Sequence, residues 1–237
     1  MSREQIGGRI VTDGLVLMLD AGDSTSYPGT GTTWTDLSGN GNNGTLVNGV
    51  GYDSGNGGSL TFDGSNDYVI STNGLDYNDS GGSFTVISFI YPTSVITSDI
   101  YEAILNRSDG SNHIFSTFIS TTTGYLASWI FNSGGSIVQY TSNLTPLSNK
   151  WNMCVWSYSD LSGYTYTLIN EGGSYTNSDL NSQTIRKDVT NEYTIGRWKN
   201  GGYNYSGHIS NLVFYNRALT ADEVLQNFNA TRSRFGI

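Results

Sequence analysis

Residues with oxygen-bearing side chains alternate along one short segment of the chain. Asp36, Ser38 and Asn40 stand at alternate positions, with glycine at the sixth position and Asn43 at the eighth, as at the opening of a calcium-binding loop. A complete EF-hand needs a bidentate acid at the twelfth position, which is Val47, so that motif is excluded. Asp, Ser and Asn before glycine also form turns that satisfy backbone N–H groups without a metal. The sequence therefore allows a looser calcium site but favours a metal-free turn.

A second segment with chemical potential combines aromatic rings with amide side chains. Sugars are held by aromatic platforms flanked by Asn, Asp and backbone amides, and loops between strands often carry such sites. We therefore identify a candidate carbohydrate site in the loop at residues 198–205. Segments 129–136 and 27–34 are weaker candidates of the same kind. The residues of the candidate site in the 198–205 loop are Trp198, Asn200, Tyr203, Asn204 and Tyr205. The competing interpretation, favoured because Trp is highly buried on average, is that Trp198 packs inward and the tyrosines cover a sheet edge.

The sequence lacks the common catalytic patterns. There is no Gly-x-Ser-x-Gly, His-Glu-x-x-His or phosphate-binding Walker loop, and a single cysteine excludes a paired-Cys zinc site. The acidic residues are dispersed, whereas retaining glycoside hydrolysis needs two carboxylates ~5–5.5 Å apart. His113 and His208 are the only histidines, and we interpret both as strand or turn residues. We therefore predict a protein that is not an enzyme.

Charge and composition limit the possible partners. A net charge of −9 and a pI near 4.4 argue against nucleic acid and anionic membranes. Calcium and neutral glycans suit this charge better. No apolar run approaches the ~18 residues of a membrane span, and the first eleven residues lack the apolar core of a signal peptide. We expect a soluble chain made in a cytosol, with Cys154 as an inert core thiol.

Short strands separated by tight turns dominate the sequence. Thirty glycines and abundant Asn and Ser suit hairpin turns, which demand positive φ angles. Alternation and turn signals predict twelve strands in one domain. They cover residues 15–20, 60–62, 68–71, 84–91, 103–107, 113–119, 125–131, 137–140, 152–158, 164–169, 192–197 and 208–215.

The only clear helix signal lies near the C-terminus. Thr220 and Glu223 form a capping box, and Leu219 can contact Val224 across it. Val224, Leu225 and Phe228 then supply an apolar stripe at helical spacing. We expect a short helix packed on the edge of a β-sandwich.

Three motifs connect the chain with a known family. They are Leu-Asp-Ala-Gly at 19–22, Asp-Leu-Ser-Gly-Asn-Gly-Asn-Asn-Gly at 36–44 and Tyr-Asn-Arg-Ala-Leu at 215–219. Together with Asp-Gly-Ser-Asn-Asp at 63–67, they resemble concanavalin A-like, laminin G-like domains over about residues 14–230. The resemblance implies an all-β, two-sheet antiparallel jelly-roll sandwich with one short C-terminal helix. It also implies that the last strand lies beside the first.

The resemblance carries further expectations about metal and catalysis. Laminin G-like domains often hold one Ca²⁺ at the sandwich rim, and by this resemblance Asp20, Asp36 and Asp63 could contribute, with Ser38 and Asn40. Segment 63–67 is also a good hairpin turn. Glucanases of this fold carry Glu-x-Asp-x-x-Glu on one strand, and no such run exists here.

The combination of these motifs also resembles laminin G-like proteins that are common among virion structural proteins of tailed phages. The resemblance implies a non-enzymatic virion surface protein of the decoration, tail or fibre type, made in the host cytoplasm, with exposed loops that contact host glycans. We divide the chain into an arm at 1–14, the domain at 15–230 and a tail at 231–237. We expect the arm and tail to dock on other virion proteins, and the protein to form a homo-oligomer. The alternatives are a calcium-assisted carbohydrate-binding lectin and, disfavoured, a glycoside hydrolase.

Overall fold

The computed structural model describes residues 8–71, 73, 75, 82–93, 101–108, 113–185 and 192–237. They form two antiparallel sheets packed face to face, with one α-helix near the C-terminus. Over the described residues each sheet has eight strands, and we call the two sheets A and B. The predicted fold class is confirmed.

The elements have the following bounds. Sheet A contains β1 Leu15–Asp20, β4 Gly51–Asp53, β5 Ser59–Asp63, β7 Phe84–Pro92, β12 Asn152–Ser159, β13 Gly163–Asn170, β14 Gly173–Asp179 and β16 Ser206–Tyr215. Sheet B contains β2 Thr33–Trp34, β3 Gly44–Val47, β6 Tyr68–Ser71, β8 Tyr101–Ser108, β9 His113–Ser120, β10 Leu126–Phe131, β11 Ile137–Thr141 and β15 Tyr193–Ile195. The helix α1 is Ala221–Thr231, and short 3₁₀ turns occupy Gly55–Gly57 and Arg232–Arg234.

The strands follow one order in each sheet. Sheet A has the order β14-β13-β12-β7-β16-β5-β4, with β1 also paired to β16. Sheet B has the order β11-β10-β9-β8-β15-β6-β3-β2.

All twelve predicted strands are present, and four more were not predicted. β2, β3 and β4 have only two to four residues, too few to establish an alternation. β14 is long enough, but its sequence GSYTNSD is polar and mostly exposed because it is the edge strand of sheet A.

The main core lies between the two sheets and takes one face of each strand. In β7, Phe84, Val86 and Ile90 point into this core. Ile87 and Phe89 point to the outer face of sheet A, where they belong to a second apolar cluster. The sequence therefore alternates as predicted, yet both faces of the strand are apolar because both are covered.

The outer face of sheet A is covered by α1. Thr220 caps the start of the helix: its hydroxyl accepts the Glu223 N–H while the Glu223 carboxylate accepts the Thr220 N–H, so the predicted capping box is confirmed. Val224 and Phe228 are buried on the sheet. Leu225, predicted to belong to the same apolar stripe, is 49% exposed and faces solvent.

The C-terminal residues also pack on sheet A. The Phe235 ring stacks on Phe89 with 4.4 Å between centroids and is 6% exposed. Arg234 donates two hydrogen bonds to the Asp20 carboxylate at 2.7 and 2.8 Å and one to Ser210 Oγ at 2.8 Å. Residues that the sequence separates as a tail thus complete the cover of the sheet.

The described part of the N-terminal arm packs against α1 and β16. The Val11 N–H donates to Asn227 Oδ1 at 2.9 Å, and Tyr215 Oη donates to the Val11 carbonyl at 2.9 Å. β1 pairs with β16, so the first and last strands are neighbours as the family resemblance implied. Within the described residues, no helix is long and apolar enough to cross a membrane.

Candidate functional site

Asp36 acts as a hydrogen-bond acceptor at the centre of a turn. Its Oδ1 accepts the N–H groups of Met18 and Ser38, both at 2.9 Å. Its Oδ2 accepts the Ser38 hydroxyl at 2.7 Å and the Asn42 N–H at 3.0 Å. Four protein donors therefore occupy the carboxylate, which is only 8% exposed.

The neighbouring polar side chains bind the backbone of β1. Asn40 Nδ2 and Asn42 Nδ2 donate to the Val16 carbonyl at 3.1 and 2.9 Å. Ser38 Oγ lies 2.8 Å from the same oxygen, but its single proton can go either to this carbonyl or to Asp36, not to both. The register of β1 against β16 shifts between Leu15 and Leu17, so the backbone at Val16 departs from the regular ladder. These side chains satisfy a carbonyl at an irregularity of the sheet.

The other two carboxylates of the expected calcium site lie in separate surroundings. Asp20 is paired with Arg234, and Asp63 Oδ1 accepts the N–H groups of Ser65 and Asn66, the former at 2.8 Å. The Ser65 hydrogen bond is the main cause that lowers the pKa of Asp63, as in an Asx turn. Among the described residues, no group of three or more His, Cys, Asp or Glu could hold a metal.

This arrangement does not suit a calcium ion, which takes six to eight oxygen ligands. Asp20, Asp36, Ser38, Asn40 and Asp63 do not converge on one point, and the oxygens that they offer already accept protein donors or lie beside Arg234. We assign these residues to turns and to the attachment of the chain ends, and derive no function through calcium.

The predicted carbohydrate loop turns back on itself. The Trp198 N–H donates to the Gly202 carbonyl at 3.1 Å, and the Gly201 N–H donates to the Trp198 carbonyl at 2.9 Å. Gly201 and Gly202 have φ angles of +88° and +81°, which glycine adopts without strain. The turn places Trp198 and Tyr203 together on the outer face of sheet B.

Tyr203 has an unusual backbone conformation for an aromatic residue. Its φ is +50°, in the left-handed region, and its carbonyl accepts the Ala103 N–H of β8 at 2.8 Å. Such a conformation costs roughly 1–3 kcal/mol in a non-glycine residue, and residues of this kind cluster at ligand sites.

The loop rings join rings from the sheet to form what we call the aromatic surface. It consists of Tyr101, Phe118, Trp129, Trp198 and Tyr203. Trp198 lies 5.3 Å from Trp129 and 5.8 Å from Phe118, and it also stacks on His113 at 4.5 Å. Phe118 is fully buried beneath the cluster, and Trp129 is 8% exposed. The rings of Tyr101, Trp198 and Tyr203 are half-buried, so they form its accessible part.

The remaining predicted loop residues have different surroundings. Asn200 is exposed at the tip, and Asn204 is half-buried with an Oδ1 that has no partner among the described residues. Tyr205 is fully buried in the core between the sheets, 6.0 Å from Phe62, so it is not part of the candidate site. Tyr205 directly precedes β16, and its side chain belongs to the core cluster.

Sequence reasoning missed the contribution of the sheet itself. Phe118 pairs with Ala103 and Ala127, and Trp129 pairs with Ser116, so small residues surround the large rings on this face. The signal was present in the alternation: Phe115, Ile119 and Ile130 face the core, and Phe118 and Trp129 occupy the opposite positions of the same strands.

The family relationship agrees with this architecture. The family model for the concanavalin A-like lectin/glucanases superfamily, of laminin G type, matches residues 63–225, which is more than half of the chain. The chain belongs to this family. A search of curated protein sequences gave no match.

Several solved structures have the same fold. The binding domain of Paraclostridial mosquitocidal protein 1 is 19% identical with a TM-score of 0.64, over 94% of this chain and 53% of that one. The binding domain of botulinum neurotoxin DC, in complex with SialylT, is 13% identical with a TM-score of 0.65, over 94% and 52%. This chain therefore spans about half the length of both structures.

A third structure has nearly the same extent as this chain. It is domain 4 of an extracellular arabinanase from Geobacillus stearothermophilus, in complex with arabinotriose. It is 15% identical with a TM-score of 0.61, over 91% of this chain and 98% of that domain. At these identities the likeness concerns the fold alone.

Proposed function

We propose that the chain is a non-enzymatic carbohydrate-binding module whose ligand lies on the aromatic surface. The observation that carries this proposal is a cluster of five aromatic side chains outside the core, with three of its rings half-buried. Aromatic faces offer a large apolar area at low entropic cost, which suits the C–H faces of sugar rings. The complexes with SialylT and with arabinotriose formed by proteins of this fold add support.

The shape of the aromatic surface favours a sugar over a flat apolar partner. Tyr203 stands at 71° to Trp198 and at 88° to Trp129, so the rings form a corner instead of a plane. A sugar ring can place its C–H face on one ring and an edge against another. Asn200 is exposed at the tip of the same loop.

Two polar atoms beside the rings also favour a polar ligand. The indole N–H of Trp129 and Oδ1 of Asn204 are buried and have no partner among the described residues. An unpaired buried polar atom costs about 1–3 kcal/mol, so a sugar hydroxyl that reaches either atom after a movement of the loop would recover part of that free energy. The net charge of −9 favours neutral glycans over anionic ones.

The proposal of binding without turnover is supported by the positions of nearby acids. Glu102 of β8 pairs with Ile119, which faces the core, so its side chain is directed between the sheets and away from the aromatic surface. Glu192 forms an ion pair with Lys199. Neither resembles the two facing carboxylates that glycoside hydrolysis requires.

We further propose that the module is displayed on a tailed-phage virion and forms a homo-oligomer. The support is the resemblance of segments 19–22, 36–44 and 215–219 to virion proteins. Because residues 8–14 and 231–237 pack on sheet A and α1, we place the docking surface on this packed face. Detection of the chain in purified particles and a sedimentation mass above 25.7 kDa are the expected results. A monomer absent from particles would contradict this location and leave glycan binding unaffected.

A glycan-array scan of the purified chain tests the binding proposal. We expect saturable retention on neutral glycans, equal with added calcium and with chelator because the candidate carboxylates already accept protein donors. If chelator abolished binding, the result would favour the alternative function of a calcium-assisted lectin. The absence of retention under both conditions would overturn the proposed function.

A further inference from the structure

A small pocket opens on the outer face of sheet A, on the opposite side of the sandwich from the aromatic surface. It has a volume of about 220 Å³ and is lined by Asp53, Asn56, Tyr91, Trp151 and His208. Drug-sized ligands occupy cavities of roughly 300–1,000 Å³, so this pocket suits something smaller, of the size of one sugar ring. None of its residues belongs to the site predicted from sequence.

The register of sheet A brings the three rings of the pocket together. Tyr91 of β7 and His208 of β16 are directly paired, and their rings lie 5.4 Å apart at 69°. Trp151 precedes β12, and its ring lies 5.5 Å from Tyr91 and 6.3 Å from His208. Neighbouring positions on one face of adjacent strands make this contact. The rings meet at steep angles and form the walls of a notch.

The polar side of the pocket comes from the last residue of β4 and the segment that follows it. Asp53 is half-exposed, its Oδ1 accepts the Gly55 N–H at 2.8 Å, and its Oδ2 lies 3.7 Å from His208 Nδ1. Ser59 Oγ lies 3.1 Å from the same nitrogen. Asn56 is exposed at the rim with a φ of +52°. The carboxylate therefore keeps acceptor capacity for a ligand beside a ring wall.

The back of the pocket is supported by the C-terminal residues. Phe235 packs against Trp151 with 4.7 Å between centroids, and Trp151 is only 7% exposed. The ion pair of Arg234 with Asp20 holds this segment in place. A pocket whose walls are fixed from behind loses little side-chain entropy when it is filled.

We propose that this pocket binds a single neutral sugar ring, as a second carbohydrate site on the opposite face of the sandwich. The inference rests on the proposed function in that both sites recognise glycans. Ring walls would contact the C–H groups of the sugar, and the Asp53 carboxylate would accept its hydroxyl groups. Among the residues that the structure describes, no lysine or arginine lines the pocket, which disfavours an anionic ligand. Two sites on opposite faces make the chain bivalent, so it can link two glycans.

The five tryptophans offer separate readouts of the two sites. We would follow the indole N–H signals in ¹H–¹⁵N spectra of the full chain, assigned with Trp→Phe variants, during titration with methyl glycosides of neutral hexoses and pentoses. The Trp151 signal should shift in a saturable manner, and it should do so equally in a Trp198→Ala variant. The Trp129 and Trp198 signals report the aromatic surface in the same spectra.

Asp53→Asn, with Asp23→Asn as its control, tests the role of the carboxylate. Both carboxylates accept the N–H two residues later, at 2.8 Å, so the two substitutions perturb similar turns. Asp53→Asn should weaken the affinity reported by Trp151 about tenfold, whereas Asp23→Asn should leave it within about twofold. Shifts of Trp129 and Trp198 without a shift of Trp151 would overturn the second site alone. If none of these signals moves, both the second site and the proposed function fail.

Discussion

The two outer faces of the sandwich both carry apolar residues at alternate strand positions, but these residues have different roles on the two faces. On sheet A, Phe89 and Val213 are covered by Phe228 of α1 and by Phe235, which turns that face into a second core. On sheet B, Phe118 and Trp129 are covered by Trp198 and Tyr203 of one loop. Apolar residues on the outer face of a strand therefore do not reveal its role. The element that covers them decides whether they stabilise the fold or offer a surface to a ligand.

The largest expected contrast between the faces is in stability. Phe89→Ala should lower the free energy of unfolding by about 3–5 kcal/mol, because it leaves a cavity between sheet A, α1 and Phe235. Trp198→Ala should lower it by only about 1 kcal/mol, because its ring is already half-buried at a loop. Urea unfolding of both variants measures the difference. Equal losses would contradict the distinction between a core face and a ligand face.

A smaller effect is expected where the chain ends meet sheet A. Arg234→Ala removes the bidentate pair with Asp20 and leaves a carboxylate that is 8% exposed without its cation. We expect a loss of about 2 kcal/mol in the free energy of unfolding. Asp20→Asn combined with Arg234→Ala should recover part of it, because the unpaired charge is gone. No recovery in the double variant would show that the pair contributes through packing.

A pH-dependent effect is expected beneath the aromatic surface. Burial raises the pKa of Glu102 to about 8, against about 4.5 for an ordinary glutamate, so the folded chain keeps this proton between these values while the unfolded chain releases it. Stability should then fall as pH rises through this window, with a slope of at most about 1.4 kcal/mol per pH unit. Glu102→Gln should flatten the profile between pH 5 and 8. An unchanged slope would contradict the buried, protonated state.

The smallest effect concerns the start of the helix that covers sheet A. Thr220→Ala removes the hydroxyl that accepts the Glu223 N–H and should lower the free energy of unfolding by about 1 kcal/mol, as urea unfolding would measure.

The same helix start should also make stability depend on pH in acid. The side-chain hydrogen bond from Arg217 is the main cause that lowers the pKa of Glu223 to about 2. Its stabilising contribution is therefore present above pH 4.5 and is lost as pH falls toward 2. Glu223→Gln should remove this acid-side loss, as thermal unfolding at pH 3 and 7 would measure.

Local patterns predicted the fold well because strand alternation and helix capping are short-range. The capping box at Thr220 spans only four residues and was predicted correctly. The assignment of Tyr205 to the site was wrong because Tyr205 was grouped with Trp198 and Tyr203 as part of one loop, whereas its ring packs in the core between the sheets. Asp36 is held by Met18, 18 residues away, and Asp20 by Arg234, 214 residues away. Partners so distant in sequence leave no local signal, so these two contacts could not be predicted, whereas the metal-free turn at Asp36 was the favoured interpretation of the sequence.

The most direct measurement of the central claim is a titration of the best neutral glycan from the array into the chain and two variants. Trp198→Ala removes a half-buried ring of the aromatic surface, and Tyr175→Ala removes an exposed ring on the edge strand β14 as a control. We predict that affinity falls at least tenfold, about 1.4 kcal/mol, in Trp198→Ala and stays within twofold in Tyr175→Ala. Unchanged affinity in Trp198→Ala, with the variant folded, would contradict the account.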